Sequence, residues 1–133
     1  RWRDDRLVMD KWFALQVAHA APGEAAATAE RLTGHPLFDW KNPNRFRAVL
    51  GALGMNAAGF HHASGAGYAL LADWLVRLDP LNPQTAARMT TLYETWRRYD
   101  ADRQQMMRAA LERIAAAPDL SRDTGEMVSR ILG

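Results

Sequence analysis

Asn42-Pro43-Asn44-Arg45-Phe46-Arg47 and Asn82-Pro83-Gln84-Thr85-Ala86-Ala87-Arg88 open in the same way, forty residues apart. Asn is a good N-cap because its side-chain oxygen accepts a free N–H of the first helical turn. Pro suits the next position, where its missing N–H would go unpaired anyway and its ring presets φ. Each start leads into an apolar-periodic segment, and each has an arginine about one turn in, Arg47 and Arg88. Helical solenoid units run about 40–47 residues, so the separation predicts stacked helix pairs. A stack of that kind usually holds something on its surface and is not a reaction centre.

The rest of the chain reads the same way. From Leu7 to Ala20, Met9, Phe13 and Val17 recur at helical spacing with Val8, Trp12 and Leu15 beside them, and Pro22-Gly23 ends the segment. Glu24 to Leu32 is an Ala-rich second helix with Gly34 as its stop, followed by a connector holding Phe38 and Trp40. After Asn42, the residues Phe46, Val49, Leu50 and Leu53 fill a complete helical template. Gly51 costs that helix about 1 kcal/mol relative to Ala, which predicts a close helix approach there. Gly54 is the expected stop, and residues 55–67 the expected loop. A fourth helix over 68–78 carries Leu71, Trp74, Leu75 and Leu78, an Asp73–Arg77 pair, and a break at Asp79-Pro80. The fifth runs from Pro83 to about Arg97 with Ala86, Met89, Leu92, Tyr93 and Trp96 inward. The sixth starts at an Asp100 cap and turns Met107, Ala110, Leu111 and Ile114 inward. The seventh starts at a Ser121 cap, with Met127, Val128, Ile131 and Leu132 inward and Gly133 as its stop.

No segment sustains the period-2 alternation of a strand. The expected fold is all-α: a right-handed α-solenoid, or superhelix, of about seven antiparallel paired helices, HEAT- or armadillo-like. No internal linker marks a boundary, so residues 1–133 read as one helical domain. A start at Arg1-Trp2-Arg3, without Met, suggests a piece cut from a longer protein.

Composition narrows the function. Hydrophobic residues make up 48% of the 133 and charged residues 24%, enough for a core and against intrinsic disorder. There is no cysteine, so a disulfide framework, a thiol nucleophile and a thiolate metal site are excluded. No apolar run reaches the roughly 18 residues of a membrane span. The formal charge is only +2, with eight basic and six acidic residues in 1–66 and nine of each in 67–133. A nucleic-acid face needs clustered positive charge, and neither nucleic acid nor membrane is expected as a partner.

The polar residues form no familiar catalytic or metal pattern. The histidines are His19, His35, His61 and His62, and none falls in an H-E-x-x-H pattern. Adjacent His61-His62 point about 100° apart on a helix, a poor start for a shared metal. One is expected to bond the glycine loop and the other to be exposed. Ser64, Ser121 and Ser129 lack a nucleophile-elbow context. Gly65-Ala66-Gly67 before a helix reads as a tight turn into it, since no Gly-Lys-Ser/Thr follows. Asp4-Asp5 and Asp100/Asp102 sit at helix starts, where they complement the dipole. Tryptophans and methionines fall mainly on apolar stripes and there read as core. No catalytic, cofactor-binding or metal residue is expected in this chain. Arg45, Arg47 and Arg88 remain, with guanidinium forks suited to carboxylates.

Several stretches together resemble the C-terminal helical domain of the bacterial aminopeptidase N family. They are Asp10-Lys11-Trp12-Phe13-Ala14-Leu15-Gln16, His35-Pro36-Leu37-Phe38, Asn42 to Arg47, Phe60-His61, Ser64 to Tyr68, Asn82 to Arg88, and Arg97-Arg98-Tyr99-Asp100 with Arg103-Gln104. The resemblance implies a cytoplasmic, monomeric zinc exopeptidase that removes N-terminal residues from peptides. It places the zinc, the general base and the N-terminus-recognising glutamates in an earlier thermolysin-like domain. It makes this chain a superhelix that covers the active-site cleft and leaves a restricted passage for peptides. Arg47 and Arg88 are then expected to face that passage as substrate-channel residues. The chain departs from the family in one turn, Ala63-Ser64-Gly65-Ala66-Gly67, where an acidic residue and Gly-Ser-Gly are expected.

The expected partners are thus the upstream catalytic domain of the same polypeptide and peptide substrates. The cofactor of the parent is zinc, with none in this chain, and the fragment alone is not an enzyme. An isolated solenoid end exposes an apolar flank, so self-association of the fragment is also expected. The alternative is a free-standing helical-repeat module that binds a protein or an extended peptide.

Overall fold

Phe13 and Val17, four residues apart on α1 (Trp2–Ala18), have no exposed surface and set the inner face of the first helix. The computed structural model describes residues 2–133, with side chains from Arg6 onward. The pair Asp4-Asp5 therefore lies outside the described side chains. The described residues are helical, turn or irregular, and contain no strand. The chain forms two compact units, Arg1–Gly67 and Tyr68–Gly133, where the sequence shows no boundary.

In the first unit, α1 is followed by a 3₁₀ turn (Pro22–Glu24) and α2 (Ala25–Thr33), which buries Ala25, Ala29 and Leu32. Gly34 caps α2 as expected, but in a right-handed conformation, φ −88°. α3 (Pro43–Phe46) starts at Asn42, whose side chain accepts from the Asn44 and Arg45 N–H groups at 3.0 and 3.4 Å. The helix then widens into a π-helical stretch, Arg47–Gly51, before continuing as α4 (Ala52–Met55). The wider turn packs on both α1 and α2 and buries Ala48, Val49 and Leu50 in succession.

Gly54 does not stop this helix; Asn56 does. Residues 55–67, expected as one loop, contain a further helical turn, α5 (Ala57–Phe60). Asn56 joins two helix ends. Its Oδ1 accepts from Gly59 N–H at 3.0 Å, and its Nδ2 donates to the Val17 and Ala20 carbonyls, each at 3.0 Å. The close approach expected at Gly51 occurs instead at Gly59, where a Cβ would collide with that of Ala25. At Gly51 an added Cβ would meet only Arg47 Cβ, at 3.6 Å.

The second unit contains most of α6 (Ala66–Leu78), then α7 (Pro83–Met89), α8 (Ala101–Ala115) and α9 (Arg122–Leu132). The expected fifth helix does not reach Arg97 as an α-helix. After Met89 it tightens into 3₁₀ segments, Thr90–Tyr93 and Trp96–Arg98. Thr90 and Thr91 donate their hydroxyls to the Ala87 and Arg88 carbonyls three residues back, drawing the turn in. With these breaks the described residues form nine α-helices in place of the seven expected. The α8 stripe Met107, Ala110, Leu111 and Ile114 is buried as read. On α9, which packs on α7 and α8, Val128 is buried with Thr124, while Met127, Ile131 and Leu132 are half-buried. Asp73 pairs with Arg113 of α8, and Arg77 lies over the Trp74 ring at 4.4 Å.

Candidate functional site

The arginines of the first Asn-Pro start separate into two environments. Arg45 is buried, 8% exposed. Its Nε donates to Asp10 of α1, its Nη1 to the Leu37 carbonyl, and its guanidinium lies 5.2 Å from the Phe13 ring centre. His35 packs edge-on to Phe13 at 5.3 Å, with Phe38 at 6.4 Å on the same ring. Three of the stretches that carry the family resemblance therefore meet in one cluster, and its role is packing. Arg47, two residues on, is exposed; its Nη2 donates to Asn44 Oδ1 at 2.9 Å. The Asn42 cap and the onset of the π-helical stretch fix its backbone, so its guanidinium stands at the surface on a defined stem.

Arg88, six residues after Asn82 where Arg47 is five after Asn42, lies on α7 and is also exposed. It lines a groove beside α9 with Gln84, Thr91, Asp123, Glu126, Met127 and Arg130. Two guanidinium groups and two carboxylates share that groove, and Glu126 is itself paired with Arg122 at 3.0 Å. The local field at Arg88 is mixed in sign, whereas Arg47 stands beside the neutral Asn44. Arg47 belongs to the first unit and Arg88 to the second.

The remaining polar candidates are structural. His62 Nδ1 lies 3.0 Å from Ser64 Oγ and accepts the Ser64 N–H, and Ser64 Oγ accepts the Ala66 N–H at 3.3 Å, capping α6. The other of the pair, His61, is not exposed as expected of one of the two, but half-buried edge-on against Phe60. In the glycine turn, Gly65 has φ +74°, and a Cβ on Gly67 would stand 2.6 Å from the Phe60 carbonyl oxygen. Both glycines serve the turn into α6. Asp100 caps α8 by accepting the Arg103 N–H at 3.2 Å. The Arg103 guanidinium bonded to it at 2.7 Å, then that same N–H, hold its carboxyl below the usual carboxylate range. Burial pushes the Tyr68 hydroxyl up to about 12, and Tyr93, which donates to the Tyr68 carbonyl at 2.7 Å, well above its ordinary value.

Sequence reading missed Asp79, taken only as a helix breaker. It is 1% exposed and accepts from Ser121 N–H at 2.6 Å, Ser121 Oγ at 2.7 Å and Thr124 Oγ1. These donors come from the start of α9, some forty residues away, and no local pattern announces them. One apolar-stripe reading also changes: Trp12 is 43% exposed.

Among the described residues, no three of His, Asp or Glu gather to hold a metal ion. No helix of the described residues is long and apolar enough to cross a membrane.

A family model described as a domain of unknown function (DUF3458_C), ARM repeats, matches residues 1–133. The chain belongs to this family. It is similar over 99% of its length to aminopeptidase N of Caulobacter vibrioides at 47% identity. Aminopeptidases N of Haemophilus influenzae and Escherichia coli match over the same share, at 42% and 41%. Among solved structures, Legionella pneumophila aminopeptidase A, in complex with aspartic acid, superposes with a TM-score of 0.87 at 35% identity over 98% of the chain. The chain spans 15% of each of these relatives. It corresponds to the C-terminal domain of aminopeptidase N, as the resemblance implies, and its all-helical repeat fold agrees with the family description.

Proposed function

We propose that this chain is the non-catalytic domain that covers the cleft of a cytoplasmic zinc aminopeptidase and restricts peptide access to it. The parent enzyme would remove N-terminal residues from peptides, with the zinc and the general base elsewhere in the polypeptide. The carrying observation is the match of the whole chain to a fixed 15% of aminopeptidases N. A free-standing module need not match a segment inside longer enzymes, as this chain does in these relatives.

Within that reading, Arg47 and Arg88 act on substrates before chemistry. An exposed guanidinium attracts a peptide's C-terminal carboxylate or acidic side chains and raises the local substrate concentration. The effect falls on capture more than on the bond-breaking step. Arg47, whose side chain bonds the neutral Asn44, should contribute more than Arg88, whose groove contains Asp123 and Glu126. One solved relative is bound to aspartic acid, so acidic peptides are the first substrates to assay.

The test is kinetic, in the full-length enzyme. Arg47→Ala should raise KM for acidic oligopeptides several-fold with kcat unchanged, and should flatten the dependence of KM on salt. Unchanged KM and salt dependence in both Arg47→Ala and Arg88→Ala would remove the role assigned to these residues.

A further inference from the structure

α1 is apolar on two sides. One side, with Phe13 and Val17, is consumed by α2, α4 and the π-helical stretch. The other carries Leu7 at 69% exposure, Val8 at 63%, Trp12 at 43% and Leu15 at 45%. Val8, Trp12 and Leu15 follow i, i+4, i+7 spacing, so they form one stripe, with Leu7 on its margin. Lys11 is exposed between Leu7 and Leu15 and sets a positive charge within the patch.

Contiguous exposed apolar patches mark contact surfaces. In helical-repeat proteins each repeat is covered by its neighbours along the stack, and an outer face left open is polar. The open face of α1 is not polar. The aminopeptidases N that match this chain are far longer, since it spans only 15% of each. A covering element is therefore at hand within the same polypeptide.

We propose that the Leu7–Val8–Trp12–Leu15 face of α1 is the seat of an amphipathic helix from the remainder of the same aminopeptidase polypeptide. That helix lays its apolar stripe on Val8, Trp12 and Leu15 and sets an acidic residue against Lys11. The inference is independent of Arg47 and Arg88, and either reading can fail without the other.

The experiment uses the intact enzyme with single substitutions Val8→Cys and Leu15→Cys, reacted with a maleimide and mapped by mass spectrometry to the modified position. The 133 residues contain no native cysteine, so a labelled peptide from this region reports the introduced thiol alone. The label rate in the native enzyme is compared with that in the same enzyme unfolded in guanidinium. A covered face slows both sites at least 100-fold, and the slowing persists at nanomolar enzyme, where sedimentation shows a monomer. Rates within threefold of the unfolded enzyme overturn the proposal. Protection that disappears on dilution also overturns it, because it assigns the face to a second copy. The charge pairing is tested in the Val8→Cys background. There Lys11→Glu should speed labelling at position 8 at least tenfold, while Lys11→Arg leaves it unchanged. An equal rate in both variants overturns the acidic contact.

Discussion

Each unit buries one charged side chain among the described residues, and the two solve the same problem with opposite means. In the first unit the buried charge is a cation. Arg45 is neutralised by the discrete carboxylate of Asp10, and the Leu37 carbonyl and the face of Phe13 take up the rest of the guanidinium. In the second unit it is an anion. Asp79 is held by a backbone N–H and two hydroxyls at the start of α9. A helix N-terminus carries about half a positive charge in its unpaired N–H groups. The end of α9 thus does for Asp79 what a whole charged residue does for Arg45.

The comparison predicts unequal costs of removal. Arg45→Ala should have the largest effect of any single change. It strands Asp10 and the Leu37 carbonyl in a cluster that ties α1, the connector and α3 together, and breaking such a pair costs about 3–5 kcal/mol. Asp79→Ala deprives one backbone N–H and two hydroxyls, and hydroxyls can turn toward other acceptors, so about 2–3 kcal/mol is expected. Urea unfolding of the two variants checks the order. Equal or reversed losses would show that the helix end is no weaker a partner than a carboxylate.

Much of this was legible in the sequence, and the exceptions have a common cause. Asn42, Asn82, Asp100 and Ser121 are caps as read, because a cap needs only its own first turn. The stripes of α6 and α8 are legible for the same reason. What was not legible depends on partners far along the chain. Asp79 reaches α9, Asn56 reaches the end of α1, and Gly59 meets Ala25. The reading of Trp12 as core failed differently: the residue is apolar at the right spacing, but this face of α1 is uncovered by the residues present. Arg47 and Arg88 were picked out by position, and both are exposed, while their part in peptide capture rests on the kinetics of the full-length variants.

The next comparison lies inside the first unit, between two helical glycines. Gly59→Ala forces a Cβ onto that of Ala25 and should cost about 1–3 kcal/mol by overpacking. Gly51→Ala meets only ordinary contact at 3.6 Å and should gain about 0.5–1 kcal/mol from the lower entropy of the unfolded chain. A loss at Gly51 would show that the π-helical stretch itself requires glycine. Asparagine caps come next. Asn42→Ala and Asn82→Ala should each cost about 1 kcal/mol. Asn56→Ala should exceed both in thermal unfolding, because it also releases the Val17 and Ala20 carbonyls.

The smallest effect contrasts the two helix starts of the second unit. α9 begins over the buried Asp79, whereas α8 begins at an exposed Asp100. The Arg103 guanidinium, and then the Arg103 N–H, lower the Asp100 carboxyl from its ordinary value. A carboxylate held below its unfolded value binds fewer protons in the folded chain. Its stabilisation is therefore present above about pH 4 and is lost as the pH falls through the lowered folded value. Asp100→Asn removes the charge, so it should lower Tm slightly at pH 7 and by less at a pH below the lowered folded value, where the native acid is itself largely protonated. Melting curves of the two proteins at both pH values decide it. A deficit that persists undiminished in acid would mean that Asp100 caps α8 through hydrogen-bond geometry alone, and that charge at this exposed start contributes nothing.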